Sequence, residues 1–401
     1  MRLPLTRRRG QRMFVPSTNS FNFASVAHFK GCIELEALDE ALRKLGKRFP
    51  LLIARVLVEE SGEAYFTDAF AQPMKATYVP KTSPESWIQV MDQALRVRPN
   101  FVNGPLASCV LVQDSASADL ILINDHSTAD GGSAMLAMRD LLAFLGDPSL
   151  ELPATSPVPI AQALPDEVLR EIKAMEAAVP PDAPPPAPWS FKAPTHPRQF
   201  VPMDLSVAET SLLGGRCRAE GTSVQGALCA AFIAPFAERY PDREKHYAEI
   251  PVNLRRFLKD GSSPAHPICT GLAMVEIEGA GDLWETARKA KAAIEKAITP
   301  NLLIQGQVVS SIVEKMPAIP AFTVDYDLSI SNVGRLDWPS AYGKLEFTGL
   351  HAPIFNVNQA GHRVMGANTS AGRLHLTYIS HDPEAPWLAF RGMALLRSML
   401  G

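Results

Sequence analysis

Asp125-His126-Ser127-Thr128-Ala129-Asp130-Gly131-Gly132 is the run of this 401-residue sequence whose residue types and spacing best suit chemistry. It follows a short apolar stretch, Ala118 to Asn124, that reads as a buried strand. It precedes Met135, Met138, Leu141, Leu142 and Leu145, which recur at helical spacing. A strand end feeding a helix start places side chains at a crevice rather than inside a core. Histidine titrates near neutrality, so His126 there could take a proton and return it. Gly131 and Gly132 let the backbone turn sharply or lie close to another element. Taken alone, a histidine in a turn is more often structural than catalytic, and Asp130 reads equally as a plain N-cap.

Other chemistries lack their residues. The sequence has no Gly-x-Ser-x-Gly elbow, no Gly-x-x-x-x-Gly-Lys phosphate loop, no His-Glu-x-x-His and no Cys-x-x-Cys. Neither a metal nor a bound cofactor is expected. The five cysteines, Cys32, Cys109, Cys217, Cys229 and Cys269, are scattered and mostly flanked by apolar residues, which suits reduced, buried thiols. A net charge of −3 argues against nucleic acid. Arg7, Arg8, Arg9 and Arg12 make one basic cluster that reads as a solvated face. No apolar run follows it and none elsewhere is long enough to span a bilayer, so a cytoplasmic protein is expected.

The elements that must position His126 alternate along the chain. Strand signals fall at Ala24 to Leu35, Ile53 to Val58 and Glu63 to Thr67, the last two joined around Ser61-Gly62, and then at Ala107 to Val112 and Ala118 to Asn124. Helical spacing marks Leu35 to Leu45, Trp87 to Leu95 and the stretch after Gly132. A short helix near Pro165 to Ala178 leads into Val179–Pro188, six of whose ten residues are proline; such a run behaves as a stiff spacer. The second half repeats the mixture. Helices are expected at Thr222 to Tyr240, Leu283 to Ile298, Leu302 to Glu314 and Ala385 to Leu400. Strands are expected at Tyr247 to Val252, Leu328 to Asn332, Lys344 to Leu350, Ile354 to Val357, Arg363 to Ala367 and Leu374 to Ser380. With 46% apolar residues in 401, two lobes of mixed α/β type, each a mixed sheet with helices packed on it, are predicted.

Asp125 to Gly131 resembles the His-His-x-x-x-Asp-Gly signature of the condensation-domain and chloramphenicol-acetyltransferase-like superfamily. Further segments are similar in the same order: Gly31 to Ile53, Asn103-Gly104-Pro105-Leu106, Thr222 to Leu228, Pro251-Val252-Asn253-Leu254-Arg255 and Ser329 to Gly334. The last is especially similar to alcohol acyltransferases and polyketide-associated acyltransferases. The resemblance implies a pseudo-dimer of two lobes with a central tunnel: residues 1–160 carrying the motif, 161–198 connecting, and 199–401 forming the second lobe. It implies acyl transfer in natural-product biosynthesis, with acyl-CoA or a phosphopantetheinyl thioester on an acyl carrier protein as donor. The acceptor is a small-molecule hydroxyl or amine, and the chain is expected to act as a monomer.

In that reading His126 is the general base. Asp130, Arg255 and Gly131 are structural at the site, with Asp130 and Arg255 paired across the lobes. Asp125, Ser331 and Asn332 are candidates for substrate or oxyanion contacts, and a plain strand-end role for the last two is equally compatible. Asp125 departs from the pattern, standing where its first histidine would be. Adjacent residues of an extended segment face opposite ways, so Asp125 is expected to point away from the imidazole; beside it, the charge would favour imidazolium and weaken the base. Rival readings are a non-acyl step such as cyclisation in the same cleft, a catalytically silent carrier-protein-binding module, and an ester hydrolase.

Overall fold

The computed structural model describes residues 2–4, 21–60, 64–177, 193–259, 268–277, 281–304 and 326–401. The Arg7–Arg12 cluster, the Ser61-Gly62 turn, the proline run and most of the expected helix Leu302 to Glu314 lie outside these residues; 301–304 are helical.

The first half runs β1 (Arg2–Pro4), β2 (Asn22–Lys30), α1 (Leu35–Arg48), β3 (Arg55–Val58), β4 (Ala64–Thr67), β5 (Ala76–Pro80), α2 (Ser86–Arg96), β6 (Ala107–Gln113), β7 (Ser117–Asp125) and α3 (Gly131–Gly146). After α4 (Asp166–Ala177) come β8 (Gln199–Asp204), α5 (Val207–Ala219), α6 (Val224–Arg239), β9 (His246–Asn253), β10 (Thr270–Ile277) and α7 (Leu283–Ala297). The chain ends with β11 (Leu328–Leu336), β12 (Ala341–Tyr342), β13 (Leu345–Phe355), β14 (Arg363–Ser370), β15 (Arg373–Ser380) and α8 (Ala385–Ser398).

Two six-stranded mixed sheets dominate, ordered β12-β13-β2-β7-β6-β5 and β10-β9-β11-β14-β15-β8; β1, β4 and β3 form a third, small sheet. In the first, β5 and β6 are parallel and the other pairs antiparallel; in the second, β11 is parallel to both neighbours. β12 and β13 come from the second half of the chain yet complete the first sheet, with β13 antiparallel to β2. The halves are therefore laced together and not merely tethered.

Nearly every residue of β7 is buried, because both faces are covered. Ala118, Leu120 and Leu122 pack with Leu38, Leu42 and Met138 of the helices on one face. Ile121 and Ile123 pack on the other with Trp87, Met91 and Leu95 of α2, and with Val364 and Ile379 of the second sheet. The core under the second sheet is separate and centres on α6, buried on most sides.

The sheets touch where β13 passes β14. A Cβ on Gly366 would lie 1.9 Å from the Pro353 carbonyl oxygen, so only glycine admits that approach. Asn368 Nδ2 donates to the carbonyls of Leu350 and Ala352 at 2.8 and 3.1 Å, and Leu350 N–H donates to Ser370 Oγ at 3.0 Å.

A chain of polar side chains crosses the same seam. Lys81 Nζ is 3.0 Å from Asp119 Oδ2, Asp119 Oδ1 accepts from His28 Nδ1 at 2.7 Å, and His28 Nε2 meets His351 Nδ1 at 2.9 Å. Asp204 and His375 of the second sheet continue it.

The expected strands Lys344 to Leu350 and Ile354 to Val357 are one strand, β13. Register shifts between Phe347 and Gly349 and between His351 and Ile354 interrupt its two-residue period. Several elements have no counterpart among those expected from the sequence, and three of them show why. β10 exposes Leu272 and Met274 on its outer face, which erases the apolar alternation. β8 contains Pro202, tolerated because β8 is an edge strand. α5 holds Gly214-Gly215, although its Ser206–Glu209 capping box was there to read.

Candidate active site

β7 ends at Asp125, whose N–H donates to the Leu106 carbonyl at 3.2 Å. That carbonyl belongs to the Gly104-Pro105-Leu106 segment, where Gly104 has φ +65 and its Cβ position lies 2.7 Å from the carbonyl oxygens of Ile53 and Ala54. His126 follows, its N–H donating to the Phe21 carbonyl at 3.0 Å. It is the one residue from 121 to 130 that is not buried. Its ring packs beside Phe23 of β2, centroids 5.1 Å apart, and stacks on Phe355 of β13 at 6.0 Å. Both phenylalanines went unnoticed in the sequence, where nothing distinguishes them from other strand residues.

Burial lowers the His126 pKa below its ordinary value. Hydrogen bonds with the backbone of His126 and Ala129, and the Asp130 charge, pull the other way without overcoming it. The imidazole is therefore neutral near pH 7, the state a general base requires.

Asp125 lies on the strand face of Ile121 and Ile123, whereas His126 meets Phe23 from the opposite face. Its Oδ1 accepts from Ser127 N–H at 2.9 Å and from Ser127 Oγ. Burial pushes its carboxyl up to about 6, against the lowering effect of those bonds. Asparagine could accept the same two bonds, so Asp125→Asn should reduce turnover far less than any change at His126. A carboxyl raised in the folded state lowers stability as pH rises from ~3.9 towards that value. The Asn variant should therefore gain on the parent between urea melts at pH 4 and pH 7.

Asp130 does both things the sequence left open. It caps α3 in a reciprocal box with Ser133, accepting from Ser133 N–H at 2.9 Å, and it reaches the second half of the chain. Arg255 Nη2 donates to Oδ1 at 3.0 Å, while Oδ2 accepts from Cys269 N–H at 2.7 Å and Thr270 Oγ1 at 3.0 Å. Both partners are almost fully buried. Burial alone would raise the Asp130 carboxyl, but the Arg255 charge and these hydrogen bonds hold it below the usual range.

Neither Gly131 nor Gly132 has positive φ, so close approach is what they provide. A Cβ on Gly131 would stand 3.3 Å from Val333 Cγ1, and one on Gly132 only 3.0 Å from Arg255 Nη1. Gly132→Ala should thus loosen the Arg255 contact, visible as a lower melting midpoint.

Val333 brings β11 to the motif turn. Ser331 is buried and Asn332 partly so; Asn332 Oδ1 accepts from Gly334 N–H at 2.9 Å, leaving its Nδ2 group as the side-chain donor. A cleft at the motif turn is lined by Phe49, Leu52, Thr128, Ala129, Ser133 and Thr155, among others, all from the first half. Among the described residues, the second half meets the motif at β13 through Phe355, at β11 through Val333, and at the end of β9 and the start of β10 through Arg255, Cys269 and Thr270. Among the described residues no helix is long and apolar enough to cross a membrane. All five cysteines are free; burial raises the thiols of Cys217 and Cys229 to about 11 and about 12, so neither is a ready nucleophile.

This architecture, two mixed sheets laced by β13 around a histidine at a strand end, is the condensation-domain and chloramphenicol-acetyltransferase-like fold. Solved structures similar over the full chain carry it. Polyketide synthase associated protein 5 from Mycobacterium tuberculosis is 16% identical, with 99% of each chain covered and a TM-score of 0.68. The trichothecene 15-O-acetyltransferase TRI3 from Fusarium sporotrichioides is 13% identical, covering 98% of this chain and 94% of that one, TM-score 0.73. The epimerization domain from the third module of tyrocidine synthetase B is 15% identical, covering 100% and 96%, TM-score 0.71. At such identities the likeness shows the fold alone. No protein-family profile and no curated protein sequence matches the chain.

Proposed function

We propose that this chain is an acyltransferase that moves an acyl group from a thioester, on coenzyme A or an acyl carrier protein, to a hydroxyl or amine. The observation that carries this reading is the neutral imidazole of His126, the one residue from 121 to 130 that is not buried, on a turn clamped by Asp130 and Arg255. His126 accepts the acceptor's proton as its oxygen or nitrogen attacks the thioester carbonyl. The tetrahedral intermediate then collapses, the C–S bond breaks, and the imidazolium returns a proton to the thiolate. Positioning between the lobes supplies much of the remaining acceleration. Asn332 Nδ2 and Ser331 are the donors offered to the oxyanion. No acyl-enzyme is required.

A second reading, a non-acyl step or a silent module on the same fold, draws on Asp125 at the first motif position. Acyl-CoA donors incubated with alcohols and amines separate the two. The first reading expects free thiol and acylated acceptor in equal amounts, and the second expects neither.

A further inference from the structure

Asp204, His351 and His375 converge at the seam between the large sheets, from β8, β13 and β15, and one ligand atom from each lies within 4.8 Å of the others. Both histidines are over nine-tenths buried. Among the described residues, the Nε2 atoms of His351 and His375 have no hydrogen-bond partner. Buried polar atoms of this kind need an explanation.

The hydrogen-bond chain specifies one for His351. The Asp119 carboxylate only accepts, so His28 Nδ1 carries a proton and, in the neutral ring, His28 Nε2 accepts. His351 Nδ1 must then donate at 2.9 Å, which leaves the His351 Nε2 lone pair facing Asp204 Oδ1 at 3.4 Å. A lone pair and a carboxylate oxygen aimed at each other repel unless a cation lies between them. Bonds of 2.0–2.2 Å to a tetrahedral Zn2+ place neighbouring ligand atoms about 3.4 Å apart. The His375 Nδ1–Asp204 Oδ1 separation is shorter, 2.5 Å, a hydrogen bond that metal binding would have to replace; the Asp204 side chain, 32% exposed, has open space on one side. Among the described residues, the arginine paired with this carboxylate is Arg373, which stands 4.0 Å from its other oxygen, Oδ2.

We propose that Asp204, His351 and His375 bind a divalent transition-metal ion, Zn2+ by the chemistry of two imidazoles and a carboxylate, with water on the exposed side of Asp204. His28, held by Asp119, orients His351 as metal-bound histidines are commonly oriented. Trp87 stacks on the His351 ring, centroids 5.2 Å apart. The ion bridges β13 of the first sheet to β8 and β15 of the second. Because β13 also carries Phe355, four residues beyond His351, the clamp steadies the strand that packs on His126. The three ligands are spread over 172 positions of sequence, from 204 to 375, which is why no metal motif is readable there.

The test is titration of the full-length, chelator-treated protein with Zn2+ and, separately, Co2+. One equivalent should bind, the Co2+ form should show the intense visible bands of tetrahedral coordination, and Zn2+ should raise the melting midpoint. Asp204→Asn should weaken binding more than tenfold, and His28→Gln by about 10–100-fold, each with an unchanged circular dichroism spectrum. A folded wild type that binds neither metal stoichiometrically overturns the proposal, as does a weak, octahedral Co2+ spectrum. So does binding that Asp204→Asn leaves unchanged. Should a variant fail to fold, the wild-type stoichiometry and spectrum decide alone.

Discussion

Replacing His126 by alanine is expected to lower turnover by ~10²–10⁴-fold, the usual contribution of a positioned general base, with the fold intact. The fold should survive because His126 sits at the strand end and is partly accessible. The neighbouring backbone bonds, from His126 N–H to Phe21 and from Asp125 N–H to Leu106, do not involve its side chain. The pH profile gives a sharper version. Since burial lowers the His126 pKa, the acid limb of the rate profile should have its midpoint below that of an ordinary histidine. Activity should be full near neutrality and fall only as the ring protonates in acid. A midpoint above the ordinary value would mean that the imidazolium is favoured at the site, which would remove the base from its role.

The second large effect belongs to Asp130 and Arg255. Removing either partner of a buried ion pair leaves an uncompensated charge, at a cost of roughly 3–5 kcal/mol, whereas the pair's net contribution to stability can be small. Asp130→Asn and Arg255→Gln should each destabilise strongly, and the double variant should lose much less than the sum of the two. Asp130→Asn also puts an amide NH2 in place of one carboxylate oxygen, so it cannot keep both the Oδ1 bond from Ser133 N–H and the Oδ2 bonds from Cys269 and Thr270, and it should be the worse of the two. The linkage has a definite sign. A carboxyl held low in the folded state contributes stability above the unfolded value of about 3.9, lost as pH falls through the folded value. Additive losses in urea melts, or an acid limb unchanged by Asp130→Asn, would show that the residues are not partners.

The parts of this fold that were legible in the sequence are those where one physical signal acts alone. β7 and α3 announce themselves by apolar content and helical spacing, and the turn between them by its glycines. Only the resemblance pointed to Arg255 as a partner for Asp130, since nothing in the local sequence links them; in the structure its Nη2 donates to Asp130 Oδ1 at 3.0 Å. Where two signals compete, the reading failed. β13 was split in two because bulges break its period, and β10 was missed because Leu272 and Met274 face outward. Its pairing in the first sheet was beyond reach too, since β13 crosses from one half of the chain to the other through contacts made only on folding. Phe23 and Phe355, 332 positions apart, meet His126 for the same reason.

Acyl transfer driven by His126 is most directly tested by single-turnover reaction of the full-length protein with a panel of acyl-CoA thioesters, each with an alcohol or amine acceptor. Free thiol and acylated acceptor are followed together, for wild type and for His126→Ala. The expected result is acceptor-dependent thiol release matched one to one by acylated product in the wild type, and its loss in the variant. Thiol release that persists in His126→Ala, or release with water as the only acceptor, would contradict the account.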